Sequence, residues 1–568
     1  MPIQRTRFSQ PAARGLRQLQ REVTIPRMDL GINLSVSPEN LRLGEASWIK
    51  NMDIDIERSA VVLRGGYKFI GEIPSLDVSV STAMGAQSLV NPSDNSIYDF
   101  VLFKADSGDT TTNQVAYSAR GLSAWVLNSD VTEVTTDGWA DSVAMYTPGN
   151  FGNTAGNHVI FSTGSGEPII AGIGEASTMT NINSQLSSPK YIAAVDERLV
   201  LFNSTVATVA QPQRVSWSIK GDPFDFTSIG AGFQDLVEMS GNGTGIVADR
   251  DRLIIFSDNE IWEGRPRADI FSFDFFPIST RNGCPYPRTI VATDKGVMWV
   301  GQDLNVYLLQ GNRIITVGTR IQRVLTDQKL VINGDKAGNI WATFQPDEKH
   351  YRVHYAVNDQ QITTAIVLHT GTLEREEGPA WTAYVHPRIQ VGHESLVFEK
   401  NSSTASAGNF ARDHLFDGAS QIIYGWYGSD IGIPNLMEMA TEIWIEYNSR
   451  DTFNANSSKF VGVYPYKGSS YDFTQLRGAP TNTLMSSNAT FNYRLTNNGL
   501  NASTPIVAYL PLGANNNSGL DNTSRAQSST VPGFYFSPSA VETDSPRNFS
   551  LHGMRIRLRQ YTGKFPPL

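Results

Sequence analysis

The histidines of this sequence give one spacing that could bind a metal ion. His350 and His354 lie four residues apart, which on a helix would place two ligands on one face. Tyr351, Val353 and Tyr355 alternate with polar residues here, as apolar side chains do in a strand. The pattern therefore favours a β-strand over a metal site.

A second candidate for metal binding is a run of alternating carboxylates. Asp53, Asp55 and Glu57 alternate with Ile54 and Ile56. Successive side chains of a strand point to opposite faces, so the three carboxylates share one face. A metal site on that face is the alternative to a solvated strand face, and the solvated face is favoured.

Cys284 is the one cysteine in the sequence and lies between Gly283 and Pro285. It has no partner for an internal disulfide, so folding does not depend on an oxidising compartment. A catalytic thiol is one reading of this residue, and a buried, unreactive thiol is the favoured one.

Sequence motifs that are typical of enzymes are missing. The sequence has no phosphate-binding P-loop, no zinc-ligand spacing, no sialidase-type aspartate box and no WD40 dipeptide signature. Carboxylates are numerous enough for a glycosidase pair, but spacing along a β-rich chain does not show which carboxylates meet. The sequence thus predicts a protein that is not an enzyme and that has no catalytic residue, metal or cofactor.

The region from Gly283 to Gly318 shows which kind of structural element would position the candidate residues. Two apolar runs, 297–300 and 306–309, are separated by turn-forming residues, which is a hairpin signature. A third strand at 289–292 precedes them and a fourth at 313–317 follows. The region therefore predicts a four-stranded antiparallel meander, the unit of one β-propeller blade.

This unit recurs along the chain. The strand order 290–292, 297–300 and 305–307 is repeated at 246–248, 253–256 and 260–262, 44 to 45 residues earlier, and again near 193–202. Weaker copies begin at Val101, Val159, Ile340 and Leu396. Spacings of roughly 40 to 58 residues are typical of a propeller with variable loops, and about seven copies are counted. Trp262 and Trp299 are predicted to lie in the cores of successive blades.

Composition agrees with an all-β protein. The chain has 568 residues, 40% of them hydrophobic, and 48 glycines. It contains no apolar run of about 18 residues, so no membrane-spanning segment is expected.

Residues 1–28 carry six arginines against one glutamate, in a chain of net charge −9. These arginines are Arg5, Arg7, Arg14, Arg17, Arg21 and Arg27. They predict a flexible basic arm that docks on an acidic protein surface or on nucleic acid. A solvated, disordered terminus is the alternative.

The C-terminal part has a different pattern. Residues 441–447 and 459–464 alternate as strands, and Arg555, Arg557 and Arg559 alternate with Ile556 and Leu558. We therefore predict four segments: a basic arm at 1–28, an N-terminal strand segment at 29–72, a β-propeller at 73–425, and a β-sandwich with long polar loops at 426–568.

A loop at 220–228 is predicted to be structural. Asp222 and Pro223 favour a turn after Gly221, because proline fixes φ and aspartate binds the nearby backbone. Phe224 and Phe226 would then anchor the loop in a core.

Several of these motifs occur together in one protein family. They are Gly31, Asn33, Pro38, residues 43–46, Asn51, Met52, residues 63–67, residues 214–218 with 221–226, and residues 283–285. In this order they resemble the β-propeller tail proteins of short-tailed, podovirus-type bacteriophages. The resemblance covers roughly residues 29–435.

The resemblance implies a structural virion protein that forms the nozzle or hub at the distal end of the tail tube. Such proteins form oligomers, usually of six copies, below a tail adaptor protein, and they carry tail fibres or tailspikes. They assemble in the host cytoplasm and act as a conduit for viral DNA. A net charge of −9 suits DNA that passes without tight binding, because tight binding needs cationic side chains at the phosphates.

Two other readings stay open from the sequence. One is a host-surface glycan-binding or glycan-cleaving tail protein, which would bring aromatic and acidic residues together in one pocket. The other is a cellular propeller that serves as an interaction scaffold.

Overall fold

The computed structural model describes most of the first 430 residues and selected strands beyond them. The described residues are 20–72, 82–106, 111–120, 122, 124–128, 139–148, 155–178, 186–267, 272–327, 340–357, 361–386, 389–394, 396–400, 405–411, 416–417, 420–422, 424–429, 431, 438–449, 458–465, 493–494, 506–511, 529–537 and 549–560. Strands dominate these residues, so the prediction of an all-β protein is confirmed.

Helical segments are short in the described part of the chain. They are the α-helix α1 (Gln322–Thr326) and 3-10 turns at Pro38–Asn40, Pro287–Thr289 and Thr370–Thr372. None of the described helices is both long and apolar enough to cross a membrane.

The chain divides into two compact units. The terminal unit comprises Met1–Tyr67, Ile366–Val385 and Ala411–Leu568, and the repeat unit comprises Lys68–Ala365 and His386–Phe410. Residues 366–385 and 411–425, which the sequence analysis assigns to a propeller at 73–425, thus group with the chain termini. We attribute this to strand pairing with distant residues, which sequence patterns do not reveal.

Five strands come first in the chain. They are β1 (Gln20–Ile25), β2 (Trp48–Lys50), β3 (Met52–Asp55), β4 (Ala60–Leu63) and β5 (Gly66–Glu72).

Strands of the repeat unit follow in antiparallel sheets. The first sheet contains β6 (Thr82–Val90), β7 (Ile97–Asp106), β8 (Thr111–Ala119) and β9 (Val126–Leu127), and the second β10 (Asp141–Thr147), β11 (Gly156–Ser162), β12 (Ile169–Gly172) and β13 (Glu175–Thr178). The third contains β14 (Leu186–Ser187), β15 (Tyr191–Val195), β16 (Arg198–Val206), β17 (Val209–Trp217) and β18 (Gly232–Asp235). The fourth contains β19 (Gly243–Asp249), β20 (Arg252–Ser257), β21 (Ile261–Pro266) and β22 (Phe273–Ser279).

The predicted meander forms the fifth sheet. Its strands are β23 (Val291–Thr293), β24 (Gly296–Val300), β25 (Val306–Gln310) and β26 (Arg313–Thr316), each antiparallel to the next. The predicted first strand begins two residues later than expected, because Pro287–Thr289 forms a 3-10 turn.

Two further groups of strands complete the repeat unit. One contains β27 (Ile340–Gln345), β28 (His350–Val357) and the first part of β29 (Gln361–His369), whose residues 366–369 belong to the terminal unit. After β30 (Trp381–Val385), the other contains β31 (Ile389–His393), β32 (Leu396–Lys400) and β33 (Ala405–Ala411). Strand β5, from far earlier in the chain, is the fourth member of this last sheet.

The core of the repeat unit lies between consecutive sheets. One cluster joins Val200 and Trp217 of the third sheet to Ile255 and Trp262 of the fourth. Another joins Phe100 of the first sheet to apolar residues of the second. A four-stranded meander has two faces to bury, and stacking against neighbours on both sides buries them.

The remaining strands belong to the terminal unit. They are β34 (Phe416–Asp417), β35 (Ser420–Gln421), β36 (Tyr424–Tyr427), β37 (Glu438–Ser449), β38 (Ser458–Pro465), β39 (Tyr493–Arg494), β40 (Ile506–Pro511), β41 (Ser529–Ser537) and β42 (Phe549–Gln560). One sheet has the order β3-β4-β42-β37-β40, with β1 also paired to β42, and β30-β2-β36-β41-β38-β39 lie side by side in another.

Strand β1 corrects the predicted basic arm. It pairs antiparallel with β42, with Gln20 opposite Arg559 and Ile25 opposite Met554. Val23 and Ile25 are buried, and this alternation of apolar residues is what makes the segment a strand. The prediction of a flexible arm up to residue 28 is therefore wrong for residues 20–28.

Three of the residues that carry the family resemblance, Gly31, Asn51 and Arg64, have structural roles in the terminal unit. Gly31 has φ +79°, and a Cβ there would lie 2.6 Å from the backbone nitrogen of Trp381. Arg64 is fully buried, and it donates hydrogen bonds to Asn51 Oδ1 (3.0 Å) and to the carbonyl of Val385 (2.7 Å). These side chains fix the strands that surround them, so their identity follows from packing.

Candidate functional site

The first strands of the repeat-unit sheets line a common cavity. Strand β6 contacts β10, and contacts continue through β15, β19, β23, β27 and β31, which contacts β6 again. The cavity that these strands enclose has a volume of about 460 Å³. Small residues recur on its wall, among them Gly85, Ala194, Gly245, Ala292 and Gly392.

Two carboxylates belong to the cavity wall, Asp141 on β10 and Glu394 after β31. Asp141 accepts hydrogen bonds from the backbone N–H groups of Ile192 and Ser142, both at 2.9 Å. Burial raises the pKa of Asp141 to about 7, although those two N–H groups favour the charged form. Asp141 therefore exchanges a proton near neutral pH while it joins β10 to β15.

Glu394 belongs to a polar cluster between the first and last sheets. Arg120 donates to Glu394 Oε2 at 3.0 Å and to Asp99 Oδ1 at 2.8 Å. Ser88 also donates to Asp99 at 2.8 Å and lies 3.1 Å from Nδ1 of His393. Burial lowers the pKa of His393. This cluster connects β6 and β7 to the turn after β31, so it holds the two sheets together.

Aromatic side chains form other parts of the wall. The rings of Trp139 and Tyr191 lie 5.5 Å apart, and Trp341 stacks on His354 at 4.0 Å with an interplanar angle of 13°. Arg288 also lines the cavity, and burial lowers its pKa to about 10. The cavity thus combines apolar ring surfaces with carboxylates and a cation, which is the composition of many small-molecule sites.

A second cavity, of about 1090 Å³, lies at charged turns of the third to fifth sheets. It is lined by five acidic and four basic residues, and some of them pair with one another: Arg252 lies 2.8 Å from Asp249 and 3.0 Å from Glu263, and Arg265 lies 2.9 Å from Glu263. Such a surface presents no strong excess of either charge to a ligand.

The predicted blade tryptophans are both core residues. Trp299 is fully buried, with ring centroids 5.3 Å from Phe256 and 5.6 Å from Tyr307. Trp262 is 7% exposed and donates from Nε1 to Glu260 at 3.0 Å.

The two predicted loop signatures are also structural. Gly221 has φ +81°, and Asp222 Oδ1 accepts a hydrogen bond from the N–H of Phe224. Pro223 and Phe224 are buried, as expected for a loop anchored in a core.

Gly283 lies where no side chain fits. A Cβ there would lie 2.4 Å from the backbone of Asn259 and of Ser257. Pro285 follows the buried Cys284, and burial raises the pKa of the Cys284 thiol to about 12. The structure therefore supports the unreactive reading of Cys284.

Four of the six predicted arm arginines, Arg5, Arg7, Arg14 and Arg17, lie outside the described residues. The other two bind within the terminal unit. Arg21 donates to the carbonyl of Ile431, and Arg27 pairs with Asp29 at 2.7 Å and with Glu377 at 2.9 Å.

The two histidines lie on strand β28, as their alternation indicates. His350 lies 3.2 Å from a carboxylate oxygen of Glu348, and Nδ1 of His354 lies 3.1 Å from Nε2 of His386. Burial lowers the pKa of His354 well below its ordinary value, which keeps the ring neutral.

Sequence reasoning did not find Asp141 or Glu394. Neither residue lies in a motif, and the two come to one cavity only because β10 and β31 belong to the same ring of strands. Small residues recur on the first strands of several sheets, and this recurrence is the sequence feature that could have indicated the ring.

No known protein-family profile matches this chain, and no curated protein matches it. Among solved structures, an α-L-arabinofuranosidase from Fusarium graminearum is similar at 11% identity and a TM-score of 0.27, over 61% of this chain and 98% of that one. An exo-β-1,3-galactanase from Phanerochaete chrysosporium is similar at 10% identity and a TM-score of 0.24, over 87% of this chain and 100% of that one.

These comparisons correct one prediction. The sequence analysis predicts a protein that is not an enzyme, whereas the solved structures that match are glycoside hydrolases, so that prediction is withdrawn. At these TM-scores the likeness assigns no activity to the chain.

Proposed function

We propose that this chain is a seven-bladed β-propeller protein of a virion tail, of the nozzle or hub type. Seven first strands follow one another around the central cavity, one for each predicted copy of the meander. The terminal unit, which pairs N-terminal with C-terminal strands, is a second compact unit of the chain.

The observation that carries this proposal is the role of the motif residues. Gly31, Asn51 and Arg64 are spread over more than thirty residues of sequence, yet each is fixed by close packing or buried hydrogen bonds in the same unit. These residues also appear in the same order in the resemblance to phage tail proteins. Their joint role in one unit of the fold supports that resemblance. Partners of the nozzle type are then a tail adaptor protein, a tail fibre or tailspike, and further copies of the chain, with six as the expected number.

The conduit of such an assembly would lie between copies. The central cavity, at about 460 Å³, has the volume of a small-molecule site. We therefore expect duplex DNA to pass through the lumen of a ring of copies and not through one propeller.

Electron microscopy and light scattering of the purified protein test this proposal. We expect a ring of several copies with an open lumen, and negligible binding to duplex DNA at physiological salt because the net charge is −9. A protein that stays monomeric at high concentration and with a tail adaptor, or that binds duplex DNA with sub-micromolar and salt-sensitive affinity, would contradict it.

A second candidate function is a glycan-binding or glycan-cleaving tail protein. The specific observation is that Asp141 and Glu394 line the same cavity as the partly exposed Trp139. A carboxyl group with a pKa of about 7 can hold a proton at neutral pH, as a general acid requires. Incubation with a panel of bacterial polysaccharides tests this function, with retention on the polysaccharide and release of reducing ends as the readouts.

A further inference from the structure

We infer that the central cavity binds the end of an uncharged glycan, one or two sugar residues at a time. This inference rests on the second candidate function, since it names the ligand class and the site of that function. Size, wall chemistry and charge are three separate arguments for it.

Size limits the ligand to a chain end. The central cavity has a volume of about 460 Å³. A hexose has twelve non-hydrogen atoms, so the cavity has room for one or two sugar residues and not for a long run of polymer. The volume also lies within the range of about 300–1,000 Å³ that is usual for small-molecule sites.

The wall offers both kinds of surface that a sugar presents. A sugar ring has apolar C–H faces and a rim of hydroxyl groups. Trp139, which is partly exposed and packs on the buried Tyr191, provides aromatic surface, and Ala292 is an exposed small residue of the wall. Asp141 and Gln87 are partly exposed there and provide oxygen and nitrogen atoms for hydroxyl groups.

Charge disfavours an acidic sugar. Among the described residues of the wall, Asp141 and Glu394 are acidic and Arg288 is basic. Glu394 is already paired with Arg120, and burial raises the pKa of Asp141 to about 7, so the wall carries no strong excess of either charge. A charged sugar would lose its hydration there without a compensating field, which costs free energy. An uncharged sugar avoids this cost and can donate its hydroxyl protons to the carboxylates.

The test combines a blocked cavity with a matched control. Ala292→Leu adds three carbon atoms to an exposed position of the wall, and Val209→Leu adds one carbon to an exposed position on β17 that does not line the cavity. Calorimetry and saturation-transfer NMR would measure binding of neutral mono- and disaccharides and of uronic acids. Circular dichroism and melting curves would show that both variants fold.

We expect the wild type and Val209→Leu to bind at least one neutral sugar, and Ala292→Leu to bind it about tenfold or more weakly. Equal binding by Ala292→Leu, or stronger binding of uronic acids than of neutral sugars, would overturn the inference alone. Failure of the wild type to retain any polysaccharide would remove the second candidate function, and the inference with it.

Discussion

Trp299 provides the sharpest test of how the repeat unit is stabilised. Its side chain is fully buried, and its ring contacts those of Phe256 and Tyr307. Replacement of a buried tryptophan by alanine costs about 3–5 kcal/mol through lost burial and the cavity left behind. Two aromatic contacts, worth about 0.5–1.5 kcal/mol each beyond burial, place Trp299→Ala at the upper end, near 4–5 kcal/mol. No hydrogen bond of the described residues is lost with its indole nitrogen, so packing accounts for the effect.

Urea unfolding and thermal melting would measure this change. A loss of about 4 kcal/mol is a large part of a typical stability of about 5–15 kcal/mol, and for a unit as large as the repeat unit it should lower the Tm by about 6 °C. Trp299→Phe keeps a ring between the same neighbours and should cost less than half as much. Tyr146→Ala, at a side chain that is 58% exposed, should change stability by about 0.5 kcal/mol or less. The packing argument is refuted if Trp299→Ala costs less than about 1 kcal/mol, or no more than Tyr146→Ala.

Three further predictions concern charge and strand pairing. Burial raises the pKa of Asp141 from its ordinary 3.8 to about 7, so the folded protein holds this proton more tightly than the unfolded chain. The resulting stabilisation is complete below about pH 4 and should be lost as the pH rises through about 7. Melting curves of Asp141→Asn between pH 4 and pH 8 should lack this loss, and an unchanged pH profile would contradict it. Arg120→Met should lower the free energy of unfolding in urea by about 3–5 kcal/mol, because it leaves Asp99, which is 2% exposed, without its cation. A loss under about 1 kcal/mol would show that the ion pair between Arg120 and Asp99 is dispensable. Deletion of residues 1–19 should leave the Tm unchanged. Deletion of residues 1–25 removes β1 with its two buried side chains and should lower the free energy of unfolding by about 3–5 kcal/mol. Equal melting of the two truncated proteins would speak against the pairing of β1 with β42.

Local patterns explain what the sequence predicted well. The strands at 297–300 and 306–309 were found because alternation and short turns are local signals, and a hairpin pairs residues that are close in sequence. The same reasoning found β20 and β28 and placed Trp299 in a core.

Distant pairing explains what the sequence did not predict. Nothing near β1 indicates that it pairs with β42, and nothing near β5 indicates that it completes a sheet with β33. Asp141 and Glu394 were missed for the same reason, since they lie far apart in sequence and share a cavity only in the assembled ring of strands. The arginines of residues 20–28 were misread because composition does not separate a charged strand from a charged arm.

The position of β42 has a consequence for biosynthesis. Strands β1, β4 and β37 all pair with β42, yet β4 leaves the ribosome about 490 residues before it. At about 5–20 residues per second, the early strands wait about 25–100 s for their partner, with open edges that can pair with other chains. Completion of the terminal unit therefore requires translation through β42. A polypeptide whose translation stops before β42 leaves these earlier strands without their partner and cannot offer a finished terminal unit to any neighbour.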